Sequence, residues 1–349
     1  MNSTDQDLRL KFLASLFFRQ LAYIPEISVQ ITARTYQGTF AREQLSDFDV
    51  LGFRFQGDLR FSRIAAECRS GERKALEEML KLQGVVSAFR LDRGYFIKSK
   101  IHRNAREVAA GLPITTLDEA EIRTLLTTGF GLDLPAAVKH EERRFAAMEQ
   151  LATVVQREFS RLHAYLRYEF WNLEAYRNIH NLFKLCAASR SGLRDTDHDH
   201  RFLFCLIVYY LAIAIIELAG GILANSYNEA ARGFAVGLFG GGRERREREV
   251  LFDQVNKLLP NPEGTALRFE PNFFDPLQEI TVRLIRSANA AASVPKFLTS
   301  VIDTAFSKVT TIDPASYDTV TRKLAQDICI LVLRETGVSS AFGTEILSY

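Results

Sequence analysis

The chain carries only four cysteines, Cys68, Cys186, Cys205 and Cys329, and none belongs to a CxxC pair. That scarcity excludes a disulfide framework or a zinc knuckle and fits a reducing, cytoplasmic setting. The N-terminal segment is polar and acidic, without a basic stretch followed by an apolar core, so no signal peptide is expected. After Gly240, Gly241 and Gly242 no GKS or GKT follows, which excludes a P-loop and leaves a hinge. Six scattered histidines form no Ser-His-Asp or Cys-His arrangement. Internal repeats and low-complexity tracts are missing too. One uncharged apolar run, 202–216, stops at 15 residues before Glu217 and two glycines. A membrane span needs roughly 20 apolar residues. The run therefore predicts a buried core helix, with a membrane-inserted segment over 202–224 as the disfavoured alternative.

What is present is enough for a sizeable core: 47% of the 349 residues are hydrophobic and 25% are charged, a length that suits two domains. Net charge is only +2, but it is unevenly spread. Residues 1–112 hold 18 Lys and Arg against 13 Asp and Glu, whereas the remainder holds 26 against 29. The basic excess lies on the N-terminal part and suits a polyanionic ligand such as nucleic acid.

The N-terminal part reads as α/β. Leu10, Leu13, Leu16, Phe17 and Leu21 recur at helical spacing over 7–22. Alternating or apolar runs at 27–33, 49–55 and 64–68 predict three strands. Strong helix formers at 72–83 predict a helix, and 85–89 and 95–98 predict two more strands around Asp92, Arg93 and Gly94. The order is α-β-β-β-α-β-β, with a domain over 1–112 and an all-α domain over 113–349. No glycine or proline occurs for 56 residues between Pro135 and Gly192. Within that stretch, positions 145 to 183 alternate steps of three and four, and ten of twelve are apolar. Sustained heptads predict long, coiled-coil-like helices and a homodimer assembled through them.

Chemistry concentrates on Asp49, at the head of one predicted strand, and Glu67, late in the next. Adjacent strands would bring these carboxylates together, and paired carboxylates hold a divalent cation. Each acid also has a purely structural reading. Asp49 would then be a turn residue, and Glu67 would pair with Arg69 or Arg63. Asp195, Asp197, Asp199, His198 and His200 lie just before the apolar run and are expected to form a solvated loop, in which the Asp residues cap the following helix and favour its dipole.

The run SDFDVLGFRF followed by RIAAECR resembles the PD-(D/E)XK restriction-endonuclease-like superfamily, over roughly residues 5–105. The resemblance implies a restriction-endonuclease-like fold and Mg²⁺ (or Mn²⁺) held by Asp49, Glu67 and the backbone carbonyl of Cys68. Catalysis would fall to Asp49, Glu67 and Arg69. Arg69 stands where the family has lysine. It supplies positive charge and bidentate phosphate contacts but stays protonated, so it cannot act as a base. Lys74 and Lys98 are candidates for the missing lysine, and Asp7 and Asp47 for accessory acids. The implied activity is that of a Mg²⁺-dependent endodeoxyribonuclease cleaving DNA rather than RNA, in restriction, phage defence or repair. The alternatives are a catalytically degenerate nuclease fold that binds nucleic acid or a partner through its helical domain, and a membrane-tethered scaffold.

Overall fold

A computed structural model describes residues 3–32, 44–71, 75–225, 230–258, 269–307 and 312–349. The described chain forms two units. The first comprises Met1–Arg54, Phe61–Gln156 and His163–Asn172, and the second Phe55–Arg60, Arg157–Leu162 and Leu173–Tyr349.

The first unit is built on a five-stranded mixed sheet. Helix α1 (Ser3–Gln20) forms over the apolar spacing and ends before Ala22, which takes a left-handed φ of 64°. Strands β1 (Ile24–Thr32), β2 (Gln44–Phe55) and β3 (Phe61–Arg69) follow, then helix α2 (Ala75–Ala88) and strand β4 (Arg93–Lys98). Helix α3 (Arg103–Ala109), strand β5 (Ile114–Asp118) and helix α4 (Glu119–Thr124) complete the sheet region. The strand order is β1-β2-β3-β4-β5; β1 and β2 pair antiparallel, while β3, β4 and β5 run parallel. Parallel strands need crossover connections, and α2 and α3 supply them.

Both faces of this sheet are covered. Leu10, Leu13, Phe17 and Phe18 of α1 pack with Val50, Ile64, Ala66, Cys68 and Ile97. On the opposite face Met79, Leu82 and Val86 of α2 and Ala105 and Ala109 of α3 pack with Leu51, Ala65 and Phe96. Each fully buried large side chain contributes roughly 1.5–3 kcal/mol to the core. Gly52 belongs to this packing: a Cβ there would come within 2.7 Å of the Phe18 ring and 2.9 Å of Ile64.

Three expectations need correction. Residues 85–88 are not a strand but the last turn of α2, because Val85 and Val86 continue the helical face set by Met79 and Leu82. The α/β unit does not end at 112, since β5 extends the sheet and helix α5 (Leu134–Glu158) packs on α1. Glu141 of α5 is buried, accepts from Ser15 Oγ at 2.8 Å and pairs with Arg19 Nε at 2.7 Å. Burial pushes this carboxyl up, but Arg19, Arg144 and the Ser15 hydroxyl outweigh it and hold its pKa below the usual range. Glu141→Ala is expected to destabilise the chain by about 3 kcal/mol in urea unfolding, because Arg19 is left without its counter-charge.

The third correction concerns the predicted long helix. The heptad run is divided among α5, α6 (Ser160–Ala164), a π-helical turn at Tyr165–Glu169, a 3-10 turn at Phe170–Asn172 and α7 (Ala175–Ser189). A continuous coiled-coil seam cannot pass through these breaks. Phe145 instead packs edge-on against Phe12 of α1, with ring centroids 5.8 Å apart.

The second unit is helical: α8 (His198–Ala224), α9 (Ala230–Leu238), α10 (Gly242–Leu258), α11 (Phe274–Arg286), α12 (Ala288–Ile302), α13 (Thr319–Thr336) and α14 (Thr344–Leu347) join α7. Asp197 caps α8 by accepting from the backbone N–H groups of Asp199 and His200, as the acids before the apolar run predict, but the expected solvated loop ends there: His198, Asp199 and His200 form the first turn of α8, and His200 is buried. Helix α8 is the one helix among the described residues long and apolar enough to cross a membrane, and 94% of its most apolar stretch is buried. It packs against α7, α9, α11, α12 and α13. Contact on so many sides explains why it lacks a polar stripe.

Candidate active site

Asp49 owes its position to a reversal in two strands. Val29 faces Phe48 and Ile27 faces Val50 across the β1–β2 ladder. The first pair belongs to the core on the α2 side and the second to the core on the α1 side. Residues two apart on a regular strand share a face, so the alternation turns over at Ser28 and Asp49. Ser28 takes the left-handed region, with φ of 58°. Such a conformation in a non-glycine residue costs on the order of 1–3 kcal/mol and is held only where its surroundings fix it.

The reversal leaves the Asp49 carboxylate reachable from both sides of the sheet. Its Oδ2 accepts the backbone N–H of Cys68 at 2.7 Å, an in-ladder contact to the neighbouring strand. Lys11 of α1 places Nζ 2.7 Å from Oδ1, and Arg69 of β3 brings a guanidinium nitrogen to 3.8 Å from Oδ2. Asp49 is only 1% exposed, so these partners rather than water offset its charge.

Glu67 and Arg69 alternate with Ala65 and therefore lie on the α2 side. Arg69 pairs with Glu67 and thus spans both carboxylates. In the parallel β3–β4 register Arg69 lies beside Lys98, whose buried Nζ is 3.4 Å from Glu78 Oε2 of α2. Burial is the largest influence on Glu67. Asp49 adds to it, Arg69 opposes, and Asp47 and Glu78 add further, so that its pKa is pushed up to about 7. For Arg69, burial works against the charge, but Glu67 and Asp49 outweigh it and raise the pKa.

Asp49, Glu67 and Arg69 thus come together as the sequence predicts, although Asp49 lies in the middle of β2 and not at the head of a strand, because residues 44–48 also pair with β1. Asp47 is near enough to act on both Glu67 and Arg69. Asp7 lies at the C-terminal end of β3, accepting at 2.6 Å the N–H of Ser70, the residue after Arg69. The thiol of Cys68 points into the α1-side core, and burial pushes its pKa well above normal, so only its backbone faces this cluster. Lys98 joins the cluster, Arg63 instead donates to the Phe89 carbonyl, and Lys74 lies outside the described residues. Sequence reasoning missed Lys11 and Glu78. Lys11 follows Asp7 by four residues on α1, the spacing that puts both on one helix face.

Among the described residues no group of three or more His, Cys, Asp and Glu is arranged to hold a metal ion. Magnesium keeps several waters and is bound through one or two carboxylates beside a phosphate. Asp49 and Glu67 are hard oxygen donors, and the repulsion of Glu67 by Asp49, Asp47 and Glu78 is one that a divalent cation relieves. On that chemistry the pair fits Mg²⁺ or Mn²⁺. No protein-family model, curated protein or solved structure matches the chain.

Proposed function

We propose that the α/β unit is a PD-(D/E)XK-like, metal-dependent phosphodiesterase that cleaves nucleic acid, DNA rather than RNA. The observation that carries this reading is the placement of Arg69, one guanidinium bridging Asp49 and Glu67. It puts two carboxylates and a fixed cation within one phosphate's reach. The order of a leading helix, three strands, a helix and a parallel strand also agrees with what the resemblance implies.

Asp49 and Glu67 would hold the cation. When bound, it supplies a water of lowered pKa and stabilises charge on phosphate oxygens. The chain's own residues divide the remaining work. The Cys68 N–H fixes the orientation of Asp49. Arg69 offers its planar fork to a phosphate oxygen and stays charged throughout. Glu78 holds Lys98 beside Arg69, adding positive charge on the same side of the sheet. The basic excess of residues 1–112 favours approach of a polyanion.

A second reading has its own observation. Lys11 and Arg69 already neutralise Asp49 and Glu67, the arrangement of a fold that binds nucleic acid or a partner without cutting. A cleavage assay on supercoiled plasmid and on RNA, with Mg²⁺ or Mn²⁺ and with EDTA, separates the two. Cleavage is expected to need the metal and to fall about 100-fold in Arg69→Ala, with Arg69→Lys keeping most activity. Asp49→Ala and Glu67→Ala variants that cut like the parent would show the site to be misassigned. DNA binding without cleavage by any variant would establish the non-catalytic reading.

A further inference from the structure

Lys11 reaches Asp49 from α1, whereas the resemblance places its lysine on the strand that carries Glu67. Its Nζ lies 2.7 Å from Asp49 Oδ1 and 3.2 Å from Ser28 Oγ. Asp49 Oδ2 is already engaged by the Cys68 N–H at 2.7 Å. Oδ1 accepts no such backbone bond, and Lys11 stands on it. Arg69 is placed differently, paired with Glu67 and 3.8 Å from Asp49.

We propose that Lys11 is the resident counter-ion of the site: its ammonium occupies Asp49 until a divalent cation displaces it towards Ser28. This rests on the assignment of Asp49 and Glu67 as the cation's ligands, and adds how loading of that pair is controlled. Ser28 owes its place beside Lys11 to the strand reversal, which also orients Asp49. One local distortion thus supplies both the ligand and a retreat for its competitor. An ammonium beside a divalent ion repels it, so the site loads only at high metal concentration. Lys11 acts here through Asp49 and is a positioning residue.

The test is Mn²⁺ binding to the full chain without substrate, followed by electron paramagnetic resonance and calorimetry. Lys11→Gln is expected to bind Mn²⁺ about tenfold more tightly than wild type, a change that removal of one nearby positive charge readily produces. Lys11→Arg keeps the charge and is expected to bind no more tightly than wild type. Asp49→Asn is expected to abolish binding. If Lys11→Gln binds equally or more weakly while binding still depends on Asp49, the counter-ion role is wrong and the metal site stands. If no variant shows binding that depends on Asp49, both fall. Circular dichroism checks folding. Should Lys11→Gln not fold, Ser28→Ala decides: it removes the retreat and is expected to weaken Mn²⁺ binding several-fold, and unchanged affinity overturns the proposal.

Discussion

Asp49→Asn is expected to lower Mg²⁺-dependent cleavage by about 1,000-fold or more and to destabilise the fold at the same time. The first effect follows from loss of a negatively charged ligand. The second follows from what Asp49 touches. Asparagine keeps an acceptor for the Cys68 N–H, but Lys11 loses the charge that offsets its own. Breaking a buried ion pair from one side typically costs about 3–5 kcal/mol, and the partial exposure of Lys11 puts the expected loss near the lower end. A double-mutant cycle with Lys11→Gln separates the effects. In the double variant much of the stability should return in urea unfolding while cleavage stays lost. If stability and cleavage return together, Asp49 acts through the fold and not through a bound ion.

Glu67→Gln is expected to have the opposite effect on stability. The folded-state pKa of Glu67 is pushed up to about 7, above its ordinary value of 4.5, chiefly by burial and then by Asp49. Between those values the folded chain holds a proton that the unfolded chain releases. Stability therefore falls as pH rises from 4.5 towards 7, and above 7 the ionised carboxylate costs on the order of 3 kcal/mol. Glutamine never ionises and avoids that cost. The variant should be more stable than wild type at pH 8, by up to that amount, with the advantage gone near pH 4.5. Its cleavage should be lost. Equal stability at pH 8 would mean that Glu67 is not crowded by its neighbours. The combination of gained stability and lost activity is the signature of a carboxylate kept for function.

The core of the site was legible because its parts are local. SDFDV and AAECR each set a strand, and the acids within them needed only adjacency of those strands to meet. The helical spacing of α1 and the apolar run of α8 were equally plain. What the sequence hid depends on partners distant in the chain. Residues 85–88 carry the valines of a strand, yet Met79 and Leu82 extend the helix through them because that face meets Ala65 and Phe96. The heptad run spans several helices because α5 docks on α1, and its pattern reports burial without naming the partner. Lys11 and Glu78 became visible only once α1 and α2 were set against the sheet. The turnover at Ser28 and Asp49 leaves no mark in the sequence at all, since serine is not a residue that a left-handed φ calls for.

Anomalous scattering from a Mn²⁺-soaked crystal addresses the assignment of this site most directly. The expected result is one strong peak shared by the carboxylates of Asp49 and Glu67, with the Lys11 ammonium moved off Asp49. A peak elsewhere, or none at concentrations that saturate binding in solution, would contradict the assignment.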